Sequence, residues 1–166
     1  MQFSPYPRLS FPTPIGWLTV EATGAGLHAV SFHDADTGSD AEPLPVLLAA
    51  KEQLDAYFAG KLQVFDLPLA PAGTPFQQQV WNTLLGVGYG QTRSYLDIAL
   101  ACATDKHTRA VGAANGQNPI AVIVPCHRII GSNGSLTGYA GGMHRKKWLL
   151  AHEARQRPGA QTSLFV

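Results

Sequence analysis

Pro125-Cys126-His127-Arg128 places a nucleophile, a base and a cation in immediate succession. A thiol attacks only as its thiolate, and at an ordinary pKa of about 8.5 only a few per cent is ionised at neutral pH. An adjacent imidazole and guanidinium are neighbours that favour the anion. Consecutive residues of an extended strand point to opposite faces, so Cys126 and His127 cooperate only where the chain bends or a water bridges them. The competing reading is a buried structural cysteine at a strand end. Glu153 is the second candidate. It follows Lys146 by seven residues, which puts the two on one helix face about two turns apart. A carboxylate behind an imidazole fixes its tautomer and stabilises its cation; a solvated surface glutamate is the alternative. His28, His33, His107, His144 and His152 show no ligand spacing. Neither a glycine-rich phosphate loop nor a metal motif is present, so no cofactor and no metal are expected.

The elements that must position these residues fall into two groups. Arg8–Thr13, Trp17–Ala22 and Leu27–Phe32 alternate as antiparallel strands, separated by turns at Pro14-Ile15-Gly16 and Gly24-Ala25-Gly26. A polar loop from His33 to Pro43 leads to a helix carrying Leu47, Ala50, Leu54 and Tyr57 at helical spacing, ending near Gly60. Leu67–Gly73, with two prolines, reads as a linker. Thr74, Pro75 and Gln77 then form a capping-box start, with Phe76, Val80, Trp81 and Leu84 as the buried face and Gly86 as the stop. The expected boundary divides residues 1–72 from 73–166. Beyond it, Ser94 and Asp97 open a short helix running to about Ala103, and Thr104-Asp105 caps a second from Lys106 to Asn115. Such a pair fits a helix-turn-helix or an ordinary helical hairpin. The second helix is poor in large side chains and projects one long cation, Arg109. Ile120–Val124 is expected to be a short buried strand running into Cys126. Gly131–Gly134 is turn chemistry. A last helix runs from Met143 to about Ala154, with a poorly ordered tail from Arg155. The fold class is thus α/β: a small N-terminal antiparallel sheet with a helix, then a mainly α-helical C-terminal domain containing a helix-turn-helix.

Composition narrows the partners. Apolar residues make up 45% of the chain, enough for a core, and charged residues only 14%. Residues 1–89 carry three basic against eight acidic side chains, net −5; residues 90–166 carry nine against three, net +6. Such a split points to the second half as the part that meets an anionic partner, unless it is chance in a small sample. Two cysteines are too few for a disulfide framework or a tetrathiolate zinc site. No signal peptide is visible and no apolar run approaches a membrane span, so a cytoplasmic protein with no membrane partner is expected; a monomer is expected as well.

The segment Asn118-Pro119-Ile120-Ala121-Val122-Ile123-Val124-Pro125-Cys126-His127-Arg128-Ile129-Ile130-Gly131 resembles the active-site segment of O6-alkylguanine-DNA alkyltransferases. The likeness extends upstream through Arg109-Ala110-Val111-Gly112. Downstream it covers Gly138-Tyr139-Ala140-Gly141-Gly142, Lys146 and Trp148–Glu153, so it takes in nearly all of residues 74–154. It implies a ribonuclease H-like N-terminal domain and a C-terminal domain that binds alkylated double-stranded DNA through the minor groove. It also implies irreversible, single-turnover transfer of an alkyl group from O6-alkylguanine, and from O4-alkylthymine, to Cys126. By the same resemblance His127 is the water-linked base, Glu153 the carboxylate that orients it, and Tyr95 and Lys146 assist at the reacting base. Arg109 enters the stack left by the flipped nucleotide, while Ala110, Ala113 and Ala114 allow close approach to DNA. Asn118 braces the turn before the active site, Tyr139 and Ala140 form the lid, and the carbonyls of Cys126 and Ile129 accept from the base amino group. Some members carry serine at the Ala140 position, proline at Ala121, or zinc-binding cysteines absent here. Two other functions remain open at this level: a non-catalytic sensor of alkyl lesions, and a cysteine hydrolase using Cys126, His127 and Glu153.

Overall fold

The computed structural model describes residues 5–102 and 107–156, which divide into two compact units: residues 5–72 with 119–121, and 73–102 and 107–118 with 122–156. In the first unit, β1 (Arg8–Thr13), β2 (Gly16–Thr23) and β3 (Gly26–His33) form an antiparallel sheet in the order β1-β2-β3. Leu18, Val20 and Ala22 of β2 alternate into the core, as the period-two pattern requires. Gly16 and Gly26 take positive φ values at the two turns; a Cβ on Gly26 would lie 2.6 Å from the Pro68 carbonyl oxygen. Helix α1 (Pro45–Phe58) covers the sheet, burying Leu47, Ala50, Leu54, Tyr57 and Phe58.

Both outer edges of this sheet are covered by chain lacking regular structure, which removes templates for edge-to-edge pairing. Along β1, Asp40 and Ser39 of the polar loop accept from the N–H groups of Arg8 and Ser10, each at 2.8 Å. Along β3, Leu27 donates to Pro68 and receives a bond from Ala70, so part of the expected linker pairs with the sheet instead of running free. Farther along β3, Val30 donates to Pro119 at 2.9 Å and accepts from Ala121 at 3.0 Å.

The second unit opens with α2 (Pro75–Leu84), where both reciprocal bonds of the Thr74/Gln77 capping box are made. Two residues, β4 (Arg93–Ser94), pair in parallel with β5 (Ile129–Ile130). Ser94 then caps α3 (Tyr95–Ala101) through a second capping box with Asp97. Helix α3 ends at Ala101 with Cys102 as its cap; Ala103, Thr104, Asp105 and Lys106, where the expected turn and second cap fall, lie outside the described residues. Helix α4 (Thr108–Gly116) packs against both α2 and α3. The indole of Trp81 on α2 donates to the Ala114 carbonyl at 2.8 Å.

Ile120–Val124 is not a strand. Ile120 makes an isolated bridge, residues 121–123 turn, and Val122 takes a left-handed φ of 69°. A β-branched residue there is a strained exception. The run is apolar because nearly all of it is buried, with the Asn118 side chain donating to the Val124 carbonyl across the turn at 2.8 Å. Cys126–Arg128 forms a single 3-10 turn. Helix α5 (Met143–Gln156) closes the unit and stays helical through Arg155, past the expected end. No helix among the described residues is long and apolar enough to cross a membrane.

Candidate active site

The 3-10 turn supplies the bend that adjacent side chains need in order to cooperate. It buries Cys126, His127 and Arg128 together and aims the last two at one carboxylate. His127 Nε2 lies 2.7 Å from Glu153 Oε2, with the imidazole fully buried and Glu153 only 1% exposed. The solvated-glutamate alternative is therefore excluded. Arg128 donates through Nε to Glu153 Oε1 at 2.8 Å and through Nη2 to Oε2 at 3.1 Å. Burial alone would raise the Glu153 carboxyl, but His127 and Arg128 outweigh it and hold the group below the carboxylate range. Burial, reinforced by Arg128 and Lys146, keeps His127 below its ordinary value despite Glu153, so the imidazole is neutral. With Nε2–H donating to the carboxylate, Nδ1 holds the free lone pair; it is buried and has no hydrogen-bond partner among the described residues.

Cys126 is buried, and this pushes its thiol up; a hydrogen bond from the Asn118 side chain and the charge of Lys146 oppose the shift without reversing it. The adjacent guanidinium does not lower the thiol as its position in sequence implies, because it is turned to Glu153 and to the Val87 carbonyl, 2.7 Å from Nη1. The resting group is a thiol beside a neutral base.

Lys146 on α5 is also fully buried. Its ammonium donates to the carbonyls of Ile129, at 2.6 Å, and Thr137, at 2.9 Å. Tyr95, half-buried at the start of α3, places its hydroxyl 2.7 Å from the Thr137 hydroxyl. The Cys126 carbonyl accepts from Asn115 Nδ2 at 3.4 Å. Tyr139 is half-buried with its hydroxyl enclosed and unpartnered among the described residues, and Ala140 is exposed. Burial first, then the nearby Cys126 and Glu153 charges, push the Tyr139 phenol well up.

On α4 the expected surface residues separate. Arg109, Ala110 and Ala113 are exposed along one face, whereas Ala114 is buried and bound through its carbonyl to Trp81. Ala114 is thus a packing residue, removed from the exposed face by its rotation toward α2. The reading of spacing missed Asn115, Thr137 and the contacts of Arg128. A polar Asn115 in phase with buried Val111 and Ala114 was the available signal for the first; Thr137 has none, since its partners come from distant segments. No group of three or more metal-binding side chains occurs among the described residues. An open pocket of about 450 Å³, lined in part by Thr83, Val87, Arg93 and Ile98, contains none of the candidate catalytic residues.

The family described as 6-O-methylguanine DNA methyltransferase, DNA binding domain, matches residues 75–155, and its ribonuclease-like domain matches residues 9–71. A methylated-DNA–protein-cysteine methyltransferase of Methanosarcina acetivorans is 47% identical over 148 residues, 86% of this chain and 95% of the relative. The crystal structure of the Mycobacterium tuberculosis O6-methylguanine methyltransferase superposes with a TM-score of 0.81 at 44% identity, over 96% of this chain and 99% of that one. A crystal structure of Mycobacterium tuberculosis OGT in complex with DNA superposes with a TM-score of 0.80 at 47% identity, over 89% of this chain and 92% of that one.

Proposed function

We propose that this chain, which belongs to the 6-O-methylguanine DNA methyltransferase family, repairs DNA by moving an alkyl group from guanine O6 to the sulfur of Cys126. One observation carries the reading: a buried thiol adjoins a neutral imidazole whose Nε2 is bound to Glu153 and whose Nδ1 is free to take a proton.

The thiol proton passes to His127 Nδ1, directly or through a water, while Glu153 stabilises the imidazolium that forms. The sulfur electron pair attacks the alkyl carbon in line, and an S–C bond forms as the C–O6 bond breaks. The departing pair stays on guanine, where a proton from the Tyr95 phenol or the Lys146 ammonium neutralises it. The product is a thioether, which offers water no electrophilic centre. Each molecule therefore acts once.

Reaching O6 requires extruding the nucleotide, at a cost of a few kcal/mol. Arg109 fills the vacated stack, and the small exposed face of Ala110 and Ala113 lets α4 approach the minor groove, where little sequence is read. The α3–α4 pair would serve as the helix-turn-helix. Tyr139 and Ala140 close over the base, and Asn118 braces the turn. The base amino group would be offered two carbonyls: that of Cys126, which also accepts from the Ile129 N–H and from Asn115 Nδ2, and that of Ile129, which accepts from Lys146. Residues 73–166 carry binding and transfer, and residues 1–72 form the ribonuclease H-like support. The protein acts as a cytoplasmic monomer, with O4-alkylthymine as a second substrate.

The test is incubation with excess oligonucleotide containing O6-methylguanine. At most one methyl per protein should transfer, and it should sit on the Cys126 peptide by mass spectrometry. Cys126→Ala should bind the same DNA without transfer. Repeated turnover would refute the thioether mechanism, and binding by the unaltered protein with no adduct would support a lesion sensor.

A further inference from the structure

Arg128 is a buried cation for which the transfer chemistry has no direct use. It lies on the same turn as Cys126, and each of its guanidinium nitrogens has a partner: Nε and Nη2 on Glu153, Nη1 on the Val87 carbonyl. Its guanidinium carbon lies 5.7 Å from the centre of the Tyr89 ring, a cation–π distance. We propose that Arg128 is a positioning residue that keeps the Cys126 base ready: its fork orients Glu153 as a carboxylate, and its charge keeps His127 unprotonated until the thiol surrenders its proton.

Glu153 Oε2 is shared between His127 Nε2 at 2.7 Å and Arg128 Nη2 at 3.1 Å, while Oε1 takes Arg128 Nε at 2.8 Å and the Gly90 N–H at 3.4 Å. Two parallel N–H···O bonds fix the carboxylate plane, so Oε2 stays opposite the imidazole. A buried carboxylate with only an imidazole for company would draw a proton onto it, and a protonated His127 cannot accept one from Cys126. Paired with Arg128, the carboxylate is already neutralised. The other ionisable groups around this cluster include Lys146 on α5, Cys126 on the turn itself, Tyr139 from the loop before α5 and Tyr89 from the loop after α2, with Arg145 and Arg155 of α5 acting on Tyr139 and Tyr89 respectively. Burial first, then the Glu153 charge, push the Tyr89 phenol up to about 12, so it stays neutral. Arg128 and Lys146 are the two cations acting on His127, and only Arg128 touches its carboxylate partner.

Removing that positive charge raises the proton affinity of His127, on which Arg128 acts, and a protonated imidazole cannot take the Cys126 proton. The acid limb of Cys126 reactivity should therefore move to higher pH, by about one unit for a pair screened as in a protein interior. The experiment measures Cys126 alkylation by iodoacetamide against pH, read by peptide mass spectrometry, in the unaltered protein, Arg128→Met and Arg128→Lys. The Met variant should show the upward shift. The Lys variant, which keeps the charge but not the fork, should return the midpoint close to that of the unaltered protein with a lower plateau. A folded Met variant with an unmoved midpoint, or a Lys variant that moves as far as the Met variant, overturns the proposal. Near-UV circular dichroism establishes folding. Independently of any variant, nitrogen-15 spectra of the unaltered protein should show His127 as the neutral Nε2–H tautomer at neutral pH, and an imidazolium signal there also overturns it. The significance of Arg128 rests on Cys126 being the alkyl acceptor, but iodoacetamide needs no DNA. Failure of this proposal is thus distinct from failure of transfer from a methylated oligonucleotide.

Discussion

The hydroxyl of Tyr95, at the start of α3, lies 2.7 Å from that of Thr137, and the Thr137 carbonyl accepts from the Lys146 ammonium at 2.9 Å. One loop residue thereby joins the two groups that we assign to protonating the departing guanine. Neither group is adjacent to Cys126 in sequence.

Tyr95→Phe removes the phenolic proton and keeps the ring. Transfer from methylated duplex should slow by about a hundredfold, the lower range for loss of a general acid, while iodoacetamide alkylation of Cys126 stays unchanged. Thr137→Val breaks the hydroxyl pair but retains the carbonyl that holds Lys146, so its effect should be the smaller of the two. Single-turnover rates on both substrates decide the matter; Tyr95→Phe transferring at the unaltered rate would remove the phenol from the mechanism.

Ala113 and Ala114 are neighbours in sequence with opposite exposure. Ala113→Leu should leave unfolding stability within about 0.5 kcal/mol, as for surface substitutions, yet weaken duplex binding by holding α4 off the groove. Ala114→Leu forces extra volume against α2 and should cost about 1–3 kcal/mol. Arg109→Ala should slow repair of duplex far more than reaction with the free alkylated base. Equal slowing on both would show that Arg109 does not fill the stack. Denaturant titration and fluorescence anisotropy separate these effects.

Acid should destabilise the fold in two stages. His127 is held by burial below 6.5, so the unfolded chain takes up its proton first, and stability falls as pH drops below that value. Glu153 is held below the unfolded value of 4.5, chiefly by His127 and Arg128 acting against burial. Its contribution is complete above 4.5 and is lost as pH falls further toward its folded value. Urea midpoints measured across this range should decline in both windows. In Glu153→Gln the lower component should disappear; its persistence at full size would assign the acid sensitivity to other carboxylates.

Local chemistry was legible without any structure. The strands of the first unit, the capping boxes at Thr74 and Ser94 and the helices they start depend on interactions spanning a few residues, and both boxes form as read. Cys126, His127 and Glu153 were legible as candidates because few residue types carry such chemistry. The conformation of Ile120–Val124 was not. Its β-branched residues favour a strand, but burial on nearly every side and the Asn118 brace turn the chain, and tertiary packing overrides local preference where the two conflict. Nor could spacing show that Arg128 turns from the thiol toward Glu153, or that Ala114 faces inward while Ala113 does not. Those outcomes depend on which distant groups are brought within hydrogen-bond reach, here 25 residues away for Glu153 and 33 for Trp81. Residue order by itself determined which atoms could react. Only the folded chain decided which proton each would hold, because burial and charge pairing act through space.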